Sequence, residues 1–298
     1  MKIVKQSHEI ITEPDQLKLI ELAGRTCYKS EDKITSDSAS RFVKMLVKSG
    51  HHAMLEFGYI CFEVKDLTID TIRKHNLDKY IVTTKGIDRS LVSGNFRAWF
   101  DYFENQVSTT IELISIKKSF VEMSINKYLH IHYPGIFTKD FFASRYPTVI
   151  LEKDMTPEER KIHAVRTVRF ITNRGVTHEL VRHRPCSFAQ ESTRYVNYNG
   201  QDMEFIEPVW LEVDKSSSIE EFFYACGYAE KRYSNLIKLG WKPEQAREVL
   251  PNSLKTEIVV QATLAQWKHI FTLRCHKAAH PQIRALMQPL EKEMFGNE

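Results

Sequence analysis

Arginine, histidine and serine side chains crowd one short stretch of this 298-residue chain. Residues 182–195 read RHRPCSFAQESTRY and hold three arginines, one histidine and two serines, with little apolar content. Guanidinium groups repel one another, so the cluster gains little unless an anion lies between them. All three residue types donate hydrogen bonds to phosphate oxygens. The stretch predicts a phosphate-binding loop; the alternative is a solvated basic loop or an ion-pair network.

The spacing in this stretch resembles RHR-x2-S-x4-S-x-R-Y, the signature of the flavin-dependent thymidylate synthases. Those enzymes methylate dUMP with methylenetetrahydrofolate and reduced FAD. Every fixed position is occupied, by Arg182, His183, Arg184, Ser187, Ser192, Arg194 and Tyr195. A motif with seven matched positions is far more specific than a lone glycine pattern.

Two further segments agree with the resemblance. Residues 50–56 (GHHAMLE), which precede a strand-like stretch, resemble the family's Gly-His-x4-Glu segment, and residues 246–251 (AREVLP) resemble its Ala-Arg-x-x-Leu-Pro element. The resemblance covers roughly residues 1–65 and 160–290. Residues 68–155 do not match the compact members, so we interpret them as an insertion within a single catalytic domain that spans residues 1–298.

The composition fits an enzyme with anionic substrates. The net charge is +4, without the dense Lys/Arg tracts expected of a nucleic-acid binder. No apolar run reaches the ~18–20 residues of a membrane span, and the first residues lack a signal-peptide pattern, so we expect a cytoplasmic protein. The five scattered cysteines indicate reduced thiols rather than disulfides or a zinc site.

The sequence patterns of helices and strands predict an α+β fold, with mixed helices packed on an antiparallel sheet. These elements must position the residues of the signature. Residues 2–11 alternate like an edge strand, and Pro14 opens a helix over residues 15–23. Residues 38–48 form an amphipathic helix that ends at Gly50, which delivers His51 and His52 to a helix end.

Three later helices are predicted around the signature. Thr156 and Glu159 form a capping box, followed by Ile162, Val165 and Val168 at helical spacing in a helix that leads through Gly175 into the signature. A second long helix begins at Ser218, and a third spans residues 253–274.

The resemblance also implies which residues bind each ligand. A helix-terminal loop flanked by arginines is physically suited to a nucleotide phosphate. The implied dUMP contacts are Glu179, Leu180, Val181, Arg182, Gln190, Glu191, Ser192, Thr193, Arg194, Arg247 and Arg274. The implied FAD contacts are His51, Arg182, His183, Arg184, Ser187, Gln190 and His269.

Arg274 is the predicted catalytic residue. In the family, an arginine at this position contacts the uracil ring and helps to ionise N3. A permanently charged guanidinium stabilises negative charge that develops on the pyrimidine as C5 becomes nucleophilic. The alternative is an arginine that complements the dipole at a helix C-terminus.

Nearby residues also suggest a serine nucleophile, a metal site and a cysteine nucleophile. Ser192 lacks the flanking glycines of a nucleophile elbow, so we interpret it as a binding hydroxyl. His51, His52 and Glu56 do not form a metal motif, and one of the histidines could instead be a partly buried capping residue. Cys186, between arginines, could be partly ionised, but it occupies a variable signature position, and we expect no cysteine nucleophile.

Some positions depart from the compact members of the family. Ala53 stands where they have a small hydroxyl residue, while Thr263, Ala265 and His269 stand where Asn, Arg and Asn commonly touch FAD. The contacts with the adenine end of FAD are therefore expected to differ, and His269 is the candidate that remains there.

The resemblance further implies NADPH as reductant, methylenetetrahydrofolate as co-substrate, and a homotetramer whose sites are shared between subunits. It implies neither a nucleic-acid nor a membrane partner. The rival interpretation is a non-catalytic nucleotide- or RNA-binding protein whose loop from Arg182 to Arg194 grips phosphates. Colour distinguishes the two, because a flavoprotein is yellow.

Overall fold

The computed structural model describes residues 1–64, 69, 73, 81–101, 127–137, 147–200, 202–211 and 218–296. The chain divides into two compact units. The first unit comprises residues 1–12, 25–31 and 166–298, and the second comprises residues 13–24 and 32–165. Helices combined with mainly antiparallel sheets confirm the α+β class.

The elements have the following bounds in the described ranges. The strands are β1 Lys2–Val4, β2 Ser7–Ile11, β3 Tyr59–Val64, β4 Ile81–Lys85, β5 Ser90–Asn95, β6 Thr148–Val149, β7 Val165–Asn173, β8 Ser187–Gln190, β9 Glu204–Ile206 and β10 Lys255–Thr263. The helices are α1 Gln16–Tyr28, α2 Ser38–Lys48, α3 Phe96–Phe100, α4 Pro157–His163, α5 Arg174–Leu180, α6 Ser218–Lys238, α7 Pro243–Ala246, α8 Leu264–Arg274 and α9 Pro281–Phe295.

The first unit is built on a four-stranded sheet in the order β2-β7-β10-β8. β2 pairs antiparallel with β7, and β8 pairs antiparallel with β10. Its core includes Phe170 and Val260 from the strands together with Trp267 and Phe271 from α8 and Leu290 from α9. Burying side chains of this size contributes about 1.5–3 kcal/mol each, so the sheet and the two C-terminal helices stabilise one another.

The predicted helix that contains Val165 and Val168 is wrong. α4 ends at His163, and Val165 already begins strand β7. Apolar residues three apart fit a helix, but the segment is also rich in β-branched residues and alternates in burial around Val168 and Phe170. These features favour a strand.

The predicted helix over residues 253–274 is wrong in its first half for a related reason. Residues 255–263 form β10, which is buried on both faces except at its ends, so its apolar run shows no period of two. Such a run cannot be told from a buried helix by periodicity alone. The Thr263 side chain then accepts from the Gln266 backbone N–H, which caps the start of α8.

The N-terminal predictions need smaller corrections. The expected edge strand is divided into β1, which pairs parallel with β9, and β2, which lies at the edge of the four-stranded sheet. The helix expected over residues 15–23 continues to Tyr28, and Asp15 caps its start by accepting from Leu17 N at 2.9 Å. The long helix from Ser218 is confirmed as α6.

The second unit contains an antiparallel sheet in the order β4-β5-β3-β6. α2 has the predicted bounds, and Gly50 follows it with a φ of 75°. His51 N then donates to Leu46 O at 2.9 Å, which closes the helix end and places His51 there as predicted. The Thr156–Glu159 capping box at the start of α4 is also confirmed.

The predicted insertion, residues 68–155, lies in the chain range of the second unit. Of its residues, the structure describes 69, 73, 81–101, 127–137 and 147–155. Its status as an insertion within one catalytic domain stays a prediction.

A buried carboxylate lies at the centre of the first unit. Glu257 of β10 is 4% exposed in its side chain and accepts from Lys29 Nζ at 2.5 Å, Lys255 Nζ at 3.0 Å and Arg169 Nε at 3.0 Å. Burial alone would raise its pKa, but the Lys29 hydrogen bond and the other two cations outweigh that effect and lower it to about 2. Glu257 is therefore ionised and fully compensated at neutral pH.

We predict that Glu257→Gln destabilises the protein at pH 7 more than at pH 3. The folded pKa of about 2 lies below the ordinary value of 4.5. The stabilisation is therefore complete above pH ~4.5 and is lost as the pH falls towards 2; its size is about 3 kcal/mol. Urea unfolding at both pH values measures it, with the exposed Glu221→Gln as control. Equal losses at the two pH values would contradict the assignment.

Candidate active site

Strand β7 and its capped helix position the first half of the signature. Asn173 Oδ1 accepts from Val176 N at 2.8 Å, so α5 starts directly at the end of the strand. Leu180 is buried, and Glu179 and Val181 are half-buried. The chain then passes through residues 182–186 into β8, which pairs with β10. β7, through α5, and β8 thus fix the two ends of this loop, and both strands belong to one sheet in which β10 lies between them.

Three signature arginines remain available for a ligand. Arg182, Arg184 and Arg194 are all exposed. The Arg194 guanidinium lies 5.5 Å from the centroid of the Tyr195 ring. None of the three guanidinium groups forms an ion pair or hydrogen bond with a residue in the described ranges. Positive charge left uncompensated in this way suits an anionic ligand and does not suit an ion-pair network.

Arg274 contacts Glu179 and His183, although more than ninety residues of sequence separate them. Its Nη1 donates to Glu179 Oε2 at 2.5 Å, its Nη2 donates to the Glu179 carbonyl at 3.2 Å, and its Nε donates to His183 Nε2 at 3.3 Å. The guanidinium is therefore held by specific partners, in addition to lying at the C-terminus of α8. A guanidinium has five N–H donors, so two remain for a ligand.

His183 is held as a neutral ring with one defined tautomer. It is buried, and its Nδ1 lies 2.9 Å from the Leu180 carbonyl, so Nδ1 carries the hydrogen and Nε2 accepts from Arg274. Burial lowers the pKa of His183, and the charges of Arg274 and His269 lower it further. Both ring nitrogens are thus used within the protein, and His183 orients Arg274.

The second half of the signature is fixed by side chains from the sheet. Gln190 Nε2 donates to Thr177 Oγ1 at 3.0 Å and to Thr256 Oγ1 at 3.3 Å. Ser187 is buried in β8. Both residues belong to the predicted FAD set, and their side chains face inward.

Arg247 contacts the signature segment through the side chain of Thr193. Arg247 Nη1 donates to Thr193 Oγ1 at 3.3 Å, which joins two predicted dUMP contacts that are 54 residues apart. Ser192 Oγ accepts a hydrogen bond from Arg194 N at 3.3 Å. The partner of this hydroxyl is thus a backbone N–H rather than a general base. This contact agrees with the interpretation of Ser192 as a binding hydroxyl.

Glu191 faces the interior, with 3% of its surface exposed. Its Oε1 accepts from the Tyr198 hydroxyl at 2.6 Å, and its Oε2 accepts from Glu257 N at 3.2 Å. Its own N–H donates to Glu257 O at 2.8 Å, and its carbonyl accepts from Arg174 Nη2 at 3.0 Å. Tyr198 and Arg174 did not stand out in the sequence, since nothing in their spacing distinguishes them from surface residues.

The upstream histidines lie in the second unit and play different parts there. His51 is exposed, just before a 3₁₀ turn over His52–Phe57. The His52 ring makes a hydrogen bond with the Val47 carbonyl at 3.1 Å and lies 4.6 Å from the Phe100 ring. The alternative of a partly buried capping residue therefore describes His52, whereas His51 stays a predicted FAD contact.

The structure shows the role or the exposure of each position that departs from the compact members of the family. Thr263 is the N-cap of α8, as described above, so its hydroxyl is used by the backbone. Ala265 and His269 lie exposed on the same helix, and Ala53 is exposed in the second unit. His269 is thus accessible at the surface, as a ligand contact requires.

The expectation that Cys186 is partly ionised is wrong. Burial raises the pKa of its thiol to about 12, although the nearby Gln266 side chain and the charge of Arg184 oppose that shift. Desolvation outweighs the neighbouring charge because the side chain packs against the core of the first unit. Cys186 is a protonated thiol at neutral pH.

The described residues offer neither a metal-binding cluster nor a membrane-spanning helix. No group of three or more His, Cys, Asp or Glu side chains there could hold a metal ion. No helix in the same part of the chain is long and apolar enough to cross a membrane. All five cysteines are free.

We predict that Arg274→Met raises the pKa of His183. The substitution removes a positive charge that disfavours the imidazolium and frees Nε2. Titration of the imidazole NMR shifts with pH measures the pKa. Arg284→Met is the control, because Arg284 donates to the Lys277 carbonyl instead. An unchanged His183 pKa in the Arg274 variant would contradict the described geometry.

Curated relatives match this chain over part of its length. The chain is 36% identical over 124 residues to the flavin-dependent thymidylate synthase of Pyrococcus horikoshii, which covers 41% of this chain and 51% of that protein. It is 37% identical over 116 residues to the enzyme of the same name from Geobacter sulfurreducens, covering 38% and 49%. The chain thus spans about half the length of the curated relatives it matches.

A solved structure and a family model complete the comparison. The crystal structure of a UMP/dUMP methylase PolB from Streptomyces cacaoi bound with 5-Br dUMP covers 99% of this chain and 92% of its own at 15% identity, with a TM-score of 0.43, too low to define a shared fold. Residues 9–80 and 158–295 match the model of the family described as thymidylate synthase complementing protein. These ranges are more than two thirds of the chain, which therefore belongs to that family.

Proposed function

We propose that this protein is a flavin-dependent thymidylate synthase that converts dUMP to dTMP, with 5,10-methylenetetrahydrofolate as carbon donor and NADPH as reductant. One observation carries the proposal. In a chain of this family, three signature arginines, Arg182, Arg184 and Arg194, present guanidinium groups without ion-pair partners among the described residues. The names of the curated relatives support the reaction.

The donor groups in the first unit fit FAD. The exposed guanidinium groups of Arg182 and Arg184 suit the two phosphates of a dinucleotide, and the exposed His269 offers a further donor. We assign His51 to the same cofactor, while His183, Ser187 and Gln190 support the site from within. Bound FAD in its reduced form supplies the hydride.

The dUMP site is proposed along residues 179–182 and 190–194. Arg194, together with Arg247 at Thr193, provides positive charge for the phosphate. Arg274 directs its two unused N–H donors to the uracil and stabilises negative charge on the ring as C5 becomes nucleophilic. Because Glu179 and His183 already hold the guanidinium, it needs little reorganisation during the reaction.

The assembly and domain organisation belong to the same proposal. The protein forms a homotetramer whose sites are shared between subunits, and residues 68–155 are an insertion within one catalytic domain.

The rival function is non-catalytic binding of a nucleotide or RNA through the same exposed arginines. The modest net charge of +4 disfavours a dedicated RNA binder. The test is the visible absorbance spectrum of the purified protein, followed by an assay for dTMP with all co-substrates. A colourless protein that binds RNA and forms no dTMP would favour the rival.

We predict that Arg274→Ala retains FAD but loses about 10²–10³-fold in kcat, because one preorganised donor group is removed from the reacting ring. The measurements are flavin absorbance per protomer and single-turnover formation of dTMP. Arg284→Ala is the matched control. Turnover near that of the wild type would remove Arg274 from the mechanism.

We predict that Cys186→Ala preserves dUMP methylation. A buried thiol with a pKa of about 12 is a poor nucleophile at neutral pH. The assay uses the purified variant with FAD, NADPH and methylenetetrahydrofolate. Lost turnover with normal binding of FAD and dUMP would show covalent catalysis by this cysteine.

A further inference from the structure

We propose that Tyr198 and Arg174 are positioning residues that act through Glu191 to hold the turn of residues 192–194 in place for the nucleotide. The inference rests on the proposed function, because that function makes this turn part of the dUMP site. It assigns roles to two residues outside the signature and gives Glu191 a role other than direct contact with the ligand.

Glu191 has no polar group left unpartnered. Both carboxylate oxygens, the N–H and the carbonyl each have a partner inside the first unit, as described above, and the residue is almost completely buried. Because Glu191 is buried and fully hydrogen-bonded, its position is fixed. It therefore also fixes the start of the segment that follows it in the chain.

The Tyr198 hydroxyl closes that segment into a loop. Its hydrogen bond to Glu191 Oε1 joins residues seven apart, and the turn between them is tightened by donation from Val196 N to Ser192 O at 3.0 Å. Burial and the neighbouring carboxylate raise the pKa of Tyr198, so it remains a donor throughout the working pH range. The enclosed residues include Ser192, Thr193 and Arg194.

Arg174 holds Glu191 from the start of α5. Its Nη2 donates to the Glu191 carbonyl, while its Nε is buried without a hydrogen-bond partner among the described residues. A buried donor without a partner costs about 1–3 kcal/mol. An arginine with no positional role would avoid that cost by turning its side chain to solvent.

Other contacts also restrain this loop: the Tyr195 ring lies 5.1 Å from the Tyr28 ring, and Tyr198 N donates to the Tyr233 hydroxyl at 3.4 Å. Ser192 N donates to Cys27 O at 3.0 Å, and Thr193 meets Arg247. The β8–β10 pairing lies outside the loop and does not depend on the Tyr198 hydroxyl. Removal of this hydroxyl is therefore expected to loosen the position of the turn and leave the sheet intact.

The experiment compares Tyr198→Phe with Tyr59→Phe. Tyr59 is a matched control because its hydroxyl, in the second unit, makes a hydrogen bond of 2.7 Å with Ser93 Oγ. For each variant, the readouts are flavin absorbance, thermal unfolding, kcat, and KM and Kd for dUMP. We expect Tyr198→Phe to raise KM and Kd about 10-fold, with kcat within twofold and flavin content unchanged, since a lost hydrogen bond to a charged group has that order of effect. Tyr59→Phe should leave the dUMP constants unchanged.

A second variant keeps the test decisive if Tyr198→Phe is poorly folded. Arg174→Gln should also raise KM for dUMP, and the double variant should show less than the sum of both effects, because both residues act on Glu191. Unchanged dUMP constants in folded Tyr198→Phe or Arg174→Gln would overturn the inference, as would equal shifts in Tyr59→Phe. A wild-type protein without flavin or dTMP formation would instead refute the proposed function.

Discussion

The first unit depends on one buried carboxylate. Glu257 lies in a strand covered on both faces, where an isolated charge would cost several kcal/mol, so three cations must converge on it. Their convergence joins parts of the chain that are far apart: Lys29 follows α1, Arg169 lies on β7, and Lys255 precedes Glu257 on its own strand. The same residue pairs through its backbone with Glu191, which directly precedes the turn of residues 192–194. Charge compensation in the sheet and the position of the loop are therefore parts of one network.

This network divides the positive charge of the first unit into two classes. The cations around Glu257 are paired with it inside the protein, and Arg274 is paired with Glu179. Arg182, Arg184 and Arg194 are exposed and, within the described ranges, have no acidic partner. In a crowded set of guanidinium groups, the protein thus pairs some with carboxylates and leaves others exposed, where the proposed phosphate ligands would bind. That separation distinguishes a binding site from a basic surface.

Sequence patterns predicted the features that depend on neighbouring residues. The predictions were wrong where tertiary burial determines the secondary structure or the pKa. α2 with its glycine end, the Thr156 capping box and α6 carry their signals in neighbouring residues. β7 and β10 were taken for helices, because runs of apolar residues do not reveal whether both faces are covered. Cys186 was misjudged because sequence shows nearby charge but not burial. Glu257 could have been found, since a glutamate before the run Ile258-Val259-Val260 demands buried partners.

The pairing of Arg274 with Glu179 makes the length of α8 a structural constraint. The helix is fixed at one end by the Thr263 cap and along its length by Trp267 and Phe271 in the core, and it carries Arg274 at its last position. Each residue of an α-helix adds ~1.5 Å of length and about 100° of rotation. One inserted or deleted residue between the core contacts and Arg274 would turn the guanidinium away from both Glu179 and His183. Apart from His269, the exposed face of α8 can therefore change in residue type far more readily than the helix can change in length.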